Sequence, residues 1–247
     1  MPVPQFRVQP ADVDEREGRA ILRGAEAHHL TRVLRLGAGE TVLLFDGAGR
    51  RWAGVIERTG PEVVVAGLTS RAANESPVRL ELVVALPKGE RWDRVLEKGT
   101  ELGVSAFRPV YTERTVVRLS PGQEARRLER WRRIVEAAAK QCERGALPEV
   151  FPPVPIADAL GGLGPPGPDE VRVVWAERSL ERLASPRGVR RAMLASGPEG
   201  GWTEHELGLL RKAGFRPAGL GPRILRAETA AVVGAALAQF WWGDLNG

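Results

Sequence analysis

The sequence predicts an α/β protein of two domains. A small β-barrel-like domain occupies residues 1–72, and residues 73–247 form a domain in which helices alternate with strands of a mainly parallel sheet. Three observations predict this. The first 72 residues hold several short β-type runs and one helical run, the pattern of a small barrel. After the polar, proline-ended stretch RAANESP (Arg71–Pro77), strand and helix patterns alternate to the C-terminus. A chain of 247 residues is comfortable for two domains, and its 43% hydrophobic content can fill real cores.

In chain order, AEAHHLTRVLRLGAGE reads as a short helix ending at Gly37. Three strands follow, Thr41–Gly47, Arg51–Arg58 and Glu62–Leu68, separated by Gly or Gly-Pro turns. Beyond the linker, Val78–Pro87 reads as a strand and Arg91–Gly103 as a helix closed by its glycine. Phe107–Val117 is a further strand. Gln123–Arg144 is a long helix with Ala125, Leu128, Trp131, Ile134, Val135, Ala138 and Cys142 on one stripe. Val171–Glu177, Arg190–Ser196 and Pro217–Gly221 are strands, each followed by loop or helix. Glu228–Trp242 closes the chain as a largely apolar helix.

Composition removes several function classes. No run of 18 apolar residues exists, so no membrane span is expected, and the N-terminus lacks the apolar stretch of a signal peptide. A soluble cytoplasmic protein is expected. The single Cys142 forbids an internal disulfide. With only three histidines, two of them adjacent at His28 and His29, no metal site is expected. The net charge of +5 is unevenly spread: Arg108–Arg144 holds 10 basic residues against 5 acids. Such a local excess points to a polyanion partner, against the plain alternative of a solvated helix face.

Two loops carry the chemistry. In ASGPEGGWTEHE (Ala195–Glu206), a strand runs through three glycines and one carboxylate into a helix opened by the capping box Thr203/Glu206. A bland turn needs one glycine; three suggest that something approaches the backbone closely. AGLGPRILRAETA (Ala218–Ala230) repeats the construction. Glycine loops at the carboxyl ends of neighbouring parallel strands form the usual ligand crevice of such a sheet. Neither loop carries a P-loop lysine followed by Ser or Thr, so a phosphate cradle is not expected. A third glycine run, Gly162–Gly167, spells the dinucleotide fingerprint. It is set aside, because a helix rather than a strand leads into it and two prolines stand where its own helix would begin.

GPEGG followed by LGPRILRAETA resembles the signature of the RsmE family, bacterial 16S rRNA uridine-N3 methyltransferases of the SPOUT superfamily. The resemblance extends to HHLTRVLRLGAGE with LLFDG, to LPKGERWDRVLEKGTELGV with ERTVV, and to KQCERGALPEV, where Lys140 replaces a commoner Glu. It implies a trefoil-knotted methyltransferase domain behind a PUA-like domain, with S-adenosyl-L-methionine (SAM) as cofactor. The target it implies is N3 of uridine 1498 in 16S rRNA of the small ribosomal subunit. By position, Trp175-Ala176-Glu177, Gly197 to Gly201 and Leu220 to Leu225 would wrap the cofactor. Within them Glu199 would anchor a ribose hydroxyl, Leu220 and Leu225 would line the adenine, and Gly200, Gly221 and Arg223 would complete the site. Arg226 and Glu228 are the catalytic candidates: a carboxylate could take the N3 proton, or an arginine could stabilise the anion. Arg7, Arg32, Arg35, Lys88, Arg91, Arg114 and Arg144 are the expected RNA contacts, with Arg114 or Arg144 reaching in from the partner of a homodimer. Cys142 sits on the apolar stripe and reads as a packing residue, since N3 chemistry needs no covalent intermediate. Two other readings stand beside this one: a SPOUT ribose 2′-O-methyltransferase, and a non-catalytic RNA-binding assembly factor.

Overall fold

The computed structural model describes residues 3–176 and 186–246. The chain divides into two compact units. The first is Met1–Glu75 with Glu136–Leu147; the second is Ser76–Val135 with Pro148–Gly247.

The first unit is a six-stranded sheet of β1 (Gln5–Arg7), β2 (Val13–Asp14), β3 (Arg19–Leu22), β4 (Thr41–Phe45), β5 (Arg51–Arg58) and β6 (Val63–Arg71), in the order β1-β4-β5-β6-β3-β2. All its pairings are antiparallel except β1 with β4. Phe6, Leu22, Val42, Leu44, Trp52, Ile56 and Val65 fill its core. Strands β1 to β3 are too short for period-two alternation to show, and the sequence reading passes over them. The predicted helix here ends early. Helix α1 (Gly24–His28) widens into a π turn over His29–Val33. Arg35 then takes a left-handed conformation, φ +58°, which stops the helix before Gly37. Residues 136–147 are tied into this unit by buried polar groups. Gln5 donates to the Arg144 carbonyl at 2.8 Å. The buried Arg51 donates to Gln5 Oε1 at 3.0 Å and pairs with Glu143 at 3.1 Å.

The second unit carries the site. Its strands are β7 (Arg79–Ala85), β8 (Val104–Tyr111), β9 (Glu149–Val150), β10 (Val154–Pro155), β11 (Glu170–Trp175), β12 (Arg191–Ser196) and β13 (Arg216–Ala218). They run β10-β8-β7-β12-β11-β13, with β9 also on β8, and every pairing is parallel. Successive strand residues feed two cores. Leu82, Val84, Val173 and Leu194 point to the face covered by α2 (Arg91–Glu101), α3 (Pro121–Gln141) and α6 (Ala227–Trp242). Val83, Val174, Met193 and Ala195 join the opposite core with residues of α4 (Ile156–Gly161) and α5 (Glu204–Lys212). Burial on both faces explains the near-continuous apolar runs of these strands.

Two predicted ends fall short for visible reasons. The strand predicted to reach Val117 ends at Tyr111, because Thr112 and Thr115 close a turn on each other. The Thr112 N–H donates to Thr115 Oγ1 at 2.9 Å, and the Thr115 N–H donates back to the Thr112 carbonyl at 3.2 Å. Helix α3 ends at Gln141, and Glu143 at φ +58° prevents its continuing to Arg144. Its apolar stripe holds from Leu128 onward, while Ala125 is exposed. The rejected fingerprint at residues 162–167 follows α4 directly, with no strand entering it.

Candidate functional site

Strands β12, β11 and β13 lie side by side and end level with one another. Trp175 pairs with Ser196 on one side and Ala218 on the other. The three loops that follow therefore leave from one edge, at the carboxyl ends of parallel strands, where crevices form in open α/β sheets. Between them lies a cavity of about 430 Å³. That falls in the range of about 300–1,000 Å³ usual for small-molecule sites.

Each loop supplies predicted residues to this cavity. Trp175 and Ala176 line it from the first, Gly197, Glu199, Gly200 and Gly201 from the second, and Leu220, Gly221, Arg223 and Leu225 from the third. Glu177 lies outside the described residues. Five lining residues escaped the sequence reading: Trp202, Glu204, Leu207, Ala227 and Ala230. Trp202 is the informative one. Its indole N–H donates to the Trp175 carbonyl at 3.1 Å, fastening the second loop to the first. A Cβ on Gly197 would stand 3.0 Å from that indole, so the glycine is what lets the ring lie there. Gly201 adopts φ +71°, which turns the chain into the N-cap of α5. The capping box forms as predicted, with Thr203 and Glu206 bonded reciprocally.

Charge enters from two other segments. Arg114, in the loop after β8, donates to the Gly200 carbonyl at 2.6 Å and lines the cavity. Its loop is anchored: the Glu113 N–H donates to Glu206 Oε1 at 2.8 Å. Arg91, at the start of α2, pairs with Glu199 at 2.5 Å and stands 3.8 Å from Glu228. Glu228 lies in the first turn of α6, where the helix dipole favours an anion. It is 8% exposed, and among the described residues its buried second oxygen has no hydrogen-bond partner.

The catalytic candidates are thus placed apart from the cavity lining. Arg226 is the exposed N-cap residue of α6, and Glu228 is buried beside Arg91. Of the expected RNA contacts, Arg32, Arg35, Lys88 and Arg114 are exposed, and Arg91 is half-buried beside Glu199. Two are engaged inside the first unit. Arg7 pairs with Glu136 at 2.9 Å, and the buried Arg144 pairs with Glu75 at 2.6 Å. Among the described residues no group of three or more His, Cys, Asp or Glu side chains is placed to hold a metal, and no helix is long and apolar enough to cross a membrane.

Comparison with known proteins agrees with this architecture. A family model described as RNA methyltransferase domain matches residues 74–239, and one described as RNA methyltransferase PUA domain matches residues 22–66. The ribosomal RNA small subunit methyltransferase E of Synechocystis is 38% identical over 231 residues, covering 90% of this chain and 73% of the relative. That of Bacillus subtilis is 31% identical, covering 85% of each. The crystal structure of the Neisseria gonorrhoeae protein of that name, bound to S-adenosyl methionine, is 32% identical and matches with a TM-score of 0.88 over 99% of this chain and 100% of its own. A putative methyltransferase from Legionella pneumophila, solved with bound SAM, is 30% identical and gives 0.84, again over 99% of this chain and 100% of its own. With three level loops around one cavity and likeness along nearly its whole length, the chain belongs to the ribosomal RNA small subunit methyltransferase E family.

Proposed function

We propose that this protein transfers a methyl group from SAM to N3 of a uridine in 16S rRNA of the small ribosomal subunit, at uridine 1498. The observation that carries the reading is the cavity at the level ends of β11, β12 and β13. Its chemistry fits the cofactor. Leu220 and Leu225 offer apolar walls for an adenine, and Glu199 offers an acceptor to ribose hydroxyls. Gly221, at φ +94° with open space where a Cβ would stand, leaves backbone groups reachable without a side chain in the way. When bound, SAM supplies an electrophilic methyl on a sulfonium. The trefoil knot implied by the family resemblance belongs to the same proposal.

The protein's own groups have two tasks. One is to hold the base in line with the methyl, a positioning effect. The other is to remove the N3 proton, because N3 is a poor nucleophile while it carries one. As N3 forms its bond to carbon, that proton passes to a carboxylate or to water. Glu228, next to the cavity-lining Ala227, is the acceptor we favour, since among the described residues its second oxygen has no hydrogen-bond partner. In this reading Arg226 and Arg114 steady negative charge on the neighbouring carbonyl oxygens. A homodimer would complete the site. Val116, Ile224, Val233 and Phe240 are exposed apolar residues of the second unit, and covering them in a second copy would remove that surface from water.

Methylation at N3 blocks the Watson–Crick edge of the base. Primer extension on 16S rRNA from subunits incubated with the protein and SAM should therefore stop one nucleotide short of uridine 1498. Read-through at that position, with extension otherwise complete, would refute the assignment.

A further inference from the structure

Outside the cavity, the strongest feature of the second unit is a groove of about 670 Å³ along the first half of α3. Arg126, Arg127, Arg130 and Arg133 line it, with Ser120 and Gln123 at the helix start. Residues 118–133 carry six arginines against two glutamates. The apolar stripe of α3 faces inward through Leu128, Trp131 and Val135, which turns the arginines outward. Two of the four lining arginines are already neutralised. Arg130 is gripped by both oxygens of Asp93, at 2.8 and 2.6 Å, and Arg133 pairs with Glu129. Arg126 and Arg127 are exposed and make no ion pair among the described residues.

This arrangement carries a cost. Arg126 and Arg130 stand four residues apart on one helix, where like charges repel, and Asp93 offsets only the charge of Arg130. Arginine stays charged at any physiological pH, so the repulsion is not relieved by titration. An external anion relieves it, and a guanidinium fork matches the paired oxygens of a phosphate. From Arg126 to Arg133 the helix rises about 10 Å, long enough to follow a strand rather than a single ion.

We propose that this groove is a second RNA-contact surface, in which Arg126 and Arg127 bind backbone phosphates of the rRNA that carries the target base. The inference rests on the proposed rRNA substrate and adds a surface distinct from the cofactor cavity. These contacts would position the RNA without reading its sequence.

The test is the salt dependence of binding to purified small ribosomal subunits, for the intact protein and for the double variant Arg126→Gln/Arg127→Gln. Each lost phosphate contact lowers the slope of log K against log salt by about 0.7–0.9, so the double variant should fall by about 1.4–1.8. Its affinity for SAM should be unchanged and its melting temperature equal or higher. Arg126→Lys/Arg127→Lys should keep most of the slope. Arg16→Gln/Arg58→Gln, the same charge change on the first unit, should leave it near that of the intact protein. An unchanged slope in the Gln variant, or a drop matched by the Arg16/Arg58 control, would overturn the proposal. So would a change of oligomeric state in the Gln variant, which would assign the groove to a second copy. Methylation is read separately: a protein that binds subunits through this slope but transfers no methyl would leave the groove standing and remove the enzymatic reading.

Discussion

Glu199 and Trp175 show how single residues govern the cavity. Glu199 already has a cationic partner in Arg91, so its charge is held in place before any ligand arrives. Replacing it with Gln keeps the shape and removes the charge. SAM affinity should fall about tenfold, equivalent to about 1.4 kcal/mol, measured by calorimetric titration; equal affinity would remove Glu199 from the ribose. Trp175 is held from behind by Gly234 of α6, where an added Cβ would sit 2.3 Å from the indole nitrogen. The ring must shift to admit it, and overpacking of this kind costs about 1–3 kcal/mol. Gly234→Ala should therefore lower the denaturation midpoint and weaken SAM binding together, because the Trp175 carbonyl anchors Trp202. A variant as stable as the parent would show that the ring has room to move. At this scale the sequence was informative where a short motif held the residue: Glu199 stands out between its glycines. It was silent on pairs made by folding. Arg91 and Glu199 are 108 positions apart, and no local pattern joins them.

Among the elements, α5 is the joint of the site. Its capping box was legible in TEHE, because the spacing of Thr203 and Glu206 is a local signal. The second duty of Glu206 was not legible: it also accepts the Glu113 N–H and so fixes the loop that carries Arg114. Thr203→Ala should cost about 1 kcal/mol in urea unfolding, the usual loss for a cap. Glu206→Ala should cost more, since it also leaves the Glu113 N–H without its partner. If the two variants lose equal stability, the tie to residue 113 contributes nothing. In β7, Glu81 is buried, and burial alone would push its carboxyl up. Hydrogen bonds and charge from Arg108, then from Arg79, outweigh this and hold it below the ordinary carboxylate value. A depressed carboxyl adds stability that is complete above its unfolded value of about 4.3 and is lost as pH falls through its folded value. Glu81→Gln should flatten the acid limb of the stability curve below about pH 4.3 while also lowering stability at neutral pH. An acid limb as steep as the parent's would place the titrating group elsewhere. The strands β11 and β12 and the helix α6 were readable as apolar runs long enough to stand out, and α2 from its apolar stripe. Strands β1, β2, β9 and β10, of two or three residues, exist only through pairing with neighbours.

For the molecule as a whole, the parallel sheet and the order of its elements followed from alternating patterns, while the strand order β10-β8-β7-β12-β11-β13 did not. Strand order depends on contacts distant in sequence, which composition and spacing do not encode locally. The return of residues 136–147 to the first unit belongs to the same class. The proposed homodimer has one clear handle. Phe240, 53% exposed on the terminal helix, should tolerate Asp in a monomer but not in a covered interface. Phe240→Asp should shift the sedimentation of a dimer to that of a monomer; an unchanged dimer would place the interface on another face. The central claim is the reaction itself, and its most direct measurement is the identity of the methylated nucleoside. Small ribosomal subunits lacking the modification would be incubated with the protein and methyl-labelled SAM, and the rRNA then digested to nucleosides. The account predicts label in 3-methyluridine. Label in a 2′-O-methylated nucleoside, or none in the rRNA while SAM still binds, would contradict it.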